Sequence, residues 1–209
     1  EQPSQPPSRG SLLVIFLTVF IDLIGIGMVL QLLPIYAKSF GVKEAGWEIG
    51  LLMSSFSAMT FIFAPLWGRA SDRIGRRPVL IVGLIGSVGF YLLFGIATIY
   101  RSMALLFIAR IGAGIAGATI PAAQAYIADI TSLKNRAKGM ALIGAAFGLG
   151  FTFGPLLGAA ALMSSGASAV ETSPWPGFVA AILSAVAAFL AVFLLPESLR
   201  PGSPHAGPP

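Results

Sequence analysis

Long apolar runs broken by short polar stretches dominate the chain. Six such runs predict six helices, at 12–37, 47–67, 78–100, 102–129, 139–163 and 176–195. Each is about twenty residues or longer, and at about 1.5 Å per residue that crosses the roughly 30 Å hydrocarbon layer of a bilayer. Inside lipid every backbone polar group must be satisfied within the segment or its neighbours, so the runs read as helices and not as open strands. The predicted fold is an all-α polytopic membrane protein. It has one transmembrane domain over 12–199, a Pro-rich disordered tail at 1–11 and a Pro- and Gly-rich linker at 200–209. The chain opens on Glu1 rather than Met, so it is expected to be processed, trimmed or a fragment. Its first apolar run is too long for a cleaved signal peptide.

The polar breaks carry the orientation. Between the second and third runs lies Gly68-Arg69-Ala70-Ser71-Asp72-Arg73-Ile74-Gly75-Arg76-Arg77-Pro78, in which five of eleven residues are charged, and it is expected to be a short loop. Pro78 suits the first turn of the next helix, and Asp72 is expected near that helix's N-terminus, where the macrodipole favours a carboxylate. A second basic loop, with Lys134, Arg136 and Lys138, precedes the fifth run. With six spans both termini share a side. Nine Lys and Arg fall on it (Arg9, Arg69, Arg73, Arg76, Arg77, Lys134, Arg136, Lys138, Arg200) against three opposite (Lys38, Lys43, Arg101), which places the termini in the cytoplasm and the protein in the cytoplasmic (inner) membrane.

An internal repeat underlies the spans. Gly25, Gly27 and Pro34 recur as Gly112, Gly114 and Pro121 at an offset of 87, and Pro65-Leu66-Trp67-Gly68 recurs as Pro155-Leu156-Leu157-Gly158 at an offset of 90. Three spans per repeat is an odd number, so the two triplets run in opposite directions, a 3+3 inverted repeat.

Composition narrows the function classes. Hydrophobic residues make up 56% and charged residues 10%, against about 25% charged in a soluble domain. A net charge of +5 would suit nucleic acid, but the basic residues cluster beside spans, as topology requires. There is no cysteine, and the single histidine, His205, lies in the tail, so neither disulfides nor a metal site is expected. No hydrolytic constellation or P-loop lysine appears, so the protein is not read as an enzyme or an ATP-driven pump. Gly112-Ala113-Gly114-Ile115-Ala116-Gly117 fits G-x-G-x-x-G, yet no strand precedes it, and it is rejected as a dinucleotide site.

Polar residues within the spans are the candidate chemistry. Asp22 lies about ten residues into the first helix, roughly 15 Å deep. A carboxylate there costs several kcal/mol unless it is paired, protonated or facing a water-filled cavity, which makes it a candidate proton-coupling group. Arg110 lies at a similar depth in the fourth span and is expected to partner it. Asp129, at the end of the fourth span, opposes the helix dipole and should have a cationic partner. Gln31, Ser55, Thr119, Gln124 and Tyr126 either line a polar cavity or form interhelical hydrogen bonds.

The charged stretch resembles the loop between the second and third helices of the major facilitator superfamily, roughly G-x-x-x-D-R-x-G-R-[RK], at Gly68, Asp72, Arg73, Gly75, Arg76 and Arg77. Leu106 to Gly114 resembles the superfamily's fourth-helix signature, whose buried Arg is linked to proton transfer. Gly150-x-x-x-Gly154-Pro155-x-x-Gly158 resembles the fifth-helix motif of its antiporters, with Ala159 in place of a final Gly. Asp-x-x-Gly-x-Gly in the first helix and Leu-Pro-Glu-Ser after the sixth are most similar to the drug:proton antiporters, the tetracycline-efflux branch in particular, although Gln31 stands where that branch tends to have Pro. The resemblance implies the N-terminal half of a proton-coupled exporter of small amphipathic molecules or drugs. Such a protein works by alternating access, without a cofactor and with the proton gradient as energy source. Its second six-helix half is either missing here or supplied by another subunit. Asp72, Arg76 and Asp129 would form a latch on the cytoplasmic side. The alternatives are a non-transporting membrane subunit or fragment, and a uniporter or symporter of small nutrients.

Overall fold

The computed structural model describes residues 9–41, 47–163 and 173–199. The tail at 1–8, Lys43, Glu171, and the linker with Arg200 and His205 lie outside the described residues, as does the side chain of Arg9. The elements are α1 (Arg9–Ser39), α2 (Trp47–Ile74), α3 (Arg76–Ile99), α4 (Met103–Ala116), α5 (Ile120–Ile130), α6 (Leu133–Met163) and α7 (Trp175–Leu194). They form six spans long and apolar enough to cross a membrane, α4 and α5 together making the fourth. The protein is an all-helical, multi-pass membrane protein.

Several helices run past the apolar runs that announced them. The α2 helix continues to Ile74 and α6 begins at Leu133, so both expected basic loops are largely helical. Hydropathy marks where lipid ends, whereas a helix continues into water as long as its residues tolerate it and its ends are satisfied. Between α2 and α3 only Gly75 is non-helical, with φ 110°, a conformation that favours glycine. The fourth span, expected to be continuous, is interrupted at 117–119. Pro121 has no N–H for the carbonyl of Gly117, four residues back, and its ring crowds that carbonyl. Beside the interruption, the carbonyls of Gly114 and Ile115 accept from Thr60 Oγ1 (3.1 Å) and Trp67 Nε1 (2.7 Å) of α2, which keeps the gap tolerable in lipid.

Packing follows the inverted repeat. The first span packs on the fifth and sixth, α6 and α7, and its counterpart, the fourth, packs on the second and third. The third and sixth pack on each other across the pseudo-axis. Equivalent glycines sit at the equivalent crossings. A Cβ on Gly27 would lie 2.8 Å from the carbonyl oxygen of Gly150 on α6, and one on Gly114, its counterpart, 2.5 Å from that of Phe56 on α2.

Candidate functional site

Two polar centres stand out, one at the end of the bundle that bears the N-terminus and one within it. The first is built on Arg76. Because Gly75 turns the chain within one residue, Arg76 starts α3 directly beside the last turn of α2. Its Nη1 donates to Ser71 Oγ at 2.7 Å and pairs with Asp72 one turn back, while Nε donates to Asp129 Oδ2 at 3.2 Å. The Arg76 side chain is 7% exposed, whereas those of Asp72 and Asp129 are 42% and 31% exposed. A desolvated cation is thus held by two carboxylates on the rim. Asp129, at the C-terminus of α5, has its cationic partner here and also accepts from Ser198 Oγ at 3.2 Å.

Asp72 ends α2 rather than capping α3. The N-terminus of α3 is taken by Glu197, whose two carboxylate oxygens accept from the backbone N–H groups of Arg76 (3.0 Å) and Arg77 (3.2 Å). Those N–H groups have no partner inside their helix, and the macrodipole favours a carboxylate against them. A Cβ at Gly75 would run into that carboxylate. Arg77 reciprocates at the other helix end, donating to the carbonyls of Val192 and Ala191 near the C-terminus of α7. Arg73 is exposed, and Gly68, where a Cβ would meet nothing closer than 4.0 Å, accepts from Ser71 through its carbonyl. The cluster ties α2, α3, α5 and the segment after α7 together.

The second centre is Asp22, in the middle of α1 and 9% exposed. Its Oδ1 accepts from Ser184 Oγ of α7 at 3.1 Å. Arg110 is 1% exposed and does not pair with Asp22. Its guanidinium carbon lies 4.6 Å from the centre of the Phe56 ring on α2, a cation–π contact, and its three nitrogens have no hydrogen-bond partner among the described residues. Equal depth along two helices does not make neighbours: α4 packs on α2 and α3, α1 on α6 and α7.

The glycine series of α6 holds α1 in place. Gly150, Gly154 and Gly158 are buried, and a Cβ on Gly154 would come within 2.8 Å of the backbone of Gly27 and Met28. Pro155 sits inside α6, and Ala159 lies on its exposed side. Of the polar lining candidates, Gln31 and Gln124 are exposed, while Thr119 and Tyr126 are buried. Ser55 bonds back to the carbonyl of Leu52 at 2.8 Å. Sequence reasoning missed Glu197, Ser71 and Ser184. Glu197 stood in the quoted Leu-Pro-Glu-Ser, but nothing local announces a partner 121 residues away.

The Major Facilitator Superfamily matches residues 15–208. The tetracycline resistance protein, class C, of Escherichia coli is 37% identical over 91% of this chain and 46% of its own length. The human major facilitator superfamily domain-containing protein 10 is 34% identical over 93% of this chain and 46% of its own. A crystal structure of the human organic anion transporter MFSD10 superposes with a TM-score of 0.75 at 30% identity, covering 94% of this chain and 49% of that one. The chain spans under half the length of the curated relatives it matches.

Proposed function

Because the chain belongs to the Major Facilitator Superfamily, we propose that it forms one six-helix half of a secondary transporter that exports small amphipathic molecules or drugs in exchange for protons. Its relatives include tetracycline and multidrug resistance proteins, and efflux of comparable compounds is the substrate class the proposal adopts. A second six-helix half completes the substrate path, and the bundle rocks between inward- and outward-open states around it. The terminus-bearing end faces the cytoplasm and the protein lies in the cytoplasmic (inner) membrane, in keeping with the excess of Lys and Arg at that end.

One observation carries the proton coupling. Asp22 is buried in α1 and held by a hydroxyl, that of Ser184, rather than by a cation. Hydroxyls both donate and accept, so the carboxyl group can gain or lose a proton without stranding a partner charge. Arg110 acts through the local field, its charge being permanent. The Arg76 cluster makes the cytoplasmic end of this half a rigid unit. Asp72, on its rim, is the handle that engages the other half when that end closes. No cofactor is needed.

The test is Asp22→Asn in the complete transporter, reconstituted in vesicles. Efflux driven by a pH gradient is expected to be lost while exchange of substrate across the membrane without a gradient persists. Gradient-driven efflux at the unaltered rate would refute Asp22 as the coupling group; efflux by the unaltered transporter that is indifferent to the gradient would favour a uniporter.

A further inference from the structure

Beside Asp22 lies a small cavity of about 10 Å³, the space over which one water molecule's centre can range. It is lined from α1 by Thr18, Val19 and Asp22, from α3 by Leu80 and Leu84, and from the interrupted fourth span by Thr119. Thr18 is one turn before Asp22, so both side chains lie on one face of α1. Thr18 is 1% exposed, and its Oγ1 has no hydrogen-bond partner among the described residues. A threonine at this depth ordinarily bonds back to its own helix or across to a neighbour. A buried hydroxyl left unmatched is destabilising, because it has given up its hydrogen bonds to water. The size of the cavity is that of a single water site, and such a water needs two to four polar partners. Asp22, Thr18 and Thr119 are the polar residues around it.

We propose that this cavity is a structural water site in which one water bridges Thr18 to Asp22, making Thr18 a positioning residue for the proton on that carboxyl. The inference rests on the reading of Asp22 as the proton-coupling group. Ser184 engages Oδ1 and leaves lone pairs of the carboxylate unmatched. With the carboxylate ionised, the water donates to it and accepts from the Thr18 hydroxyl. With the carboxyl protonated, its O–H donates to the water, which donates to Thr18 Oγ1. The chain of two hydrogen bonds reverses direction, and only a group that both donates and accepts permits that. The rest of the lining, including Val19, Leu80 and Leu84, is apolar and offers such a water no competing partner.

The experiment is pH-difference infrared spectroscopy on the purified protein in lipid. A carboxyl C=O band that Asp22→Asn removes identifies the proton on Asp22. Thr18→Val preserves shape and deletes the hydroxyl; the band is expected to move to higher wavenumber and its hydrogen–deuterium exchange to slow. Thr18→Ser is expected to restore both. Independently of any Thr18 variant, an O–H stretch of the wild-type difference spectrum is expected to shift in water carrying oxygen-18. If Asp22→Asn removes no band, the proton reading fails and the water site with it. If the band exists but neither Thr18→Val nor oxygen-18 moves anything, the water site is overturned and the proton reading stands.

Discussion

Arg76 is a cation taken out of water, and its neighbours rank by how much of that they compensate. Arg76→Ala leaves Asp72 and Asp129 without their cation. Because both carboxylates are partly exposed, the expected loss is about 1–3 kcal/mol, below the 3–5 kcal/mol of a fully buried pair. Arg76→Lys is not conservative here, since an ammonium does not present the fork that engages Asp129, Ser71 and Asp72 together. Glu197→Gln weakens the cap on α3 and is expected to cost about 1 kcal/mol. Arg73→Ala, at an exposed position, is expected to stay within about 0.5 kcal/mol. Thermal unfolding in one detergent, read by tryptophan fluorescence, gives the order; a value for Arg73→Ala matching Arg76→Ala would mean that bulk positive charge, not the cluster, stabilises this end.

At the level of helices, the α1–α6 crossing and the break in the fourth span show what glycine and proline do in context. Gly154→Ala drives a methyl into the backbone of α1, and forced overpacking of this kind costs about 1–3 kcal/mol. Gly144, ten residues earlier on the same helix, faces open space. There Gly144→Ala is expected to be neutral or to stabilise by up to about 1 kcal/mol, through helix propensity and a less free unfolded chain. Melting temperatures of the two variants should therefore move apart, and equal shifts would refute a backbone-contact role for the motif. The repeat-related prolines differ too: Pro34 sits inside an unbroken α1, whereas Pro121 follows an interruption. Four residues before each stand Leu30 and Gly117, and Gly in a helix costs about 1 kcal/mol more than Ala. Pro121→Ala is expected to close the gap, seen as slow hydrogen exchange at the amide of residue 121.

The whole molecule is least covered at α2, where 6% of the apolar window is buried, against 56% for α1. Lipid accounts for part of that bare surface, and in the proposed reading the second half covers the rest. Trp47, Tyr100 and Trp175, all strongly exposed, lie at the end away from the N-terminus, as interfacial aromatics do. If the complete transporter has two six-helix halves in one chain, immunoblotting of source membranes should show a product of about twice the 21.7 kDa of this chain. A product near 21.7 kDa would instead require a second subunit to complete the path.

Sequence alone determined the six spans, the inverted repeat and the charged residues that meet at Arg76, because each is written in local hydropathy or in a short spacing. It misjudged the ends of α2 and α6, since hydropathy follows lipid rather than hydrogen bonding, and it missed the break before Pro121. It matched Asp22 with Arg110 by depth, whereas which neighbour a side chain meets depends on helix rotation and packing order. Those were decided by the tertiary structure: α1 seated on a glycine face of α6, Asp22 turned to Ser184, Arg110 laid over Phe56. Glu197 capping a helix 121 residues upstream has the same cause. Partners so far apart in sequence meet only once the helices have packed.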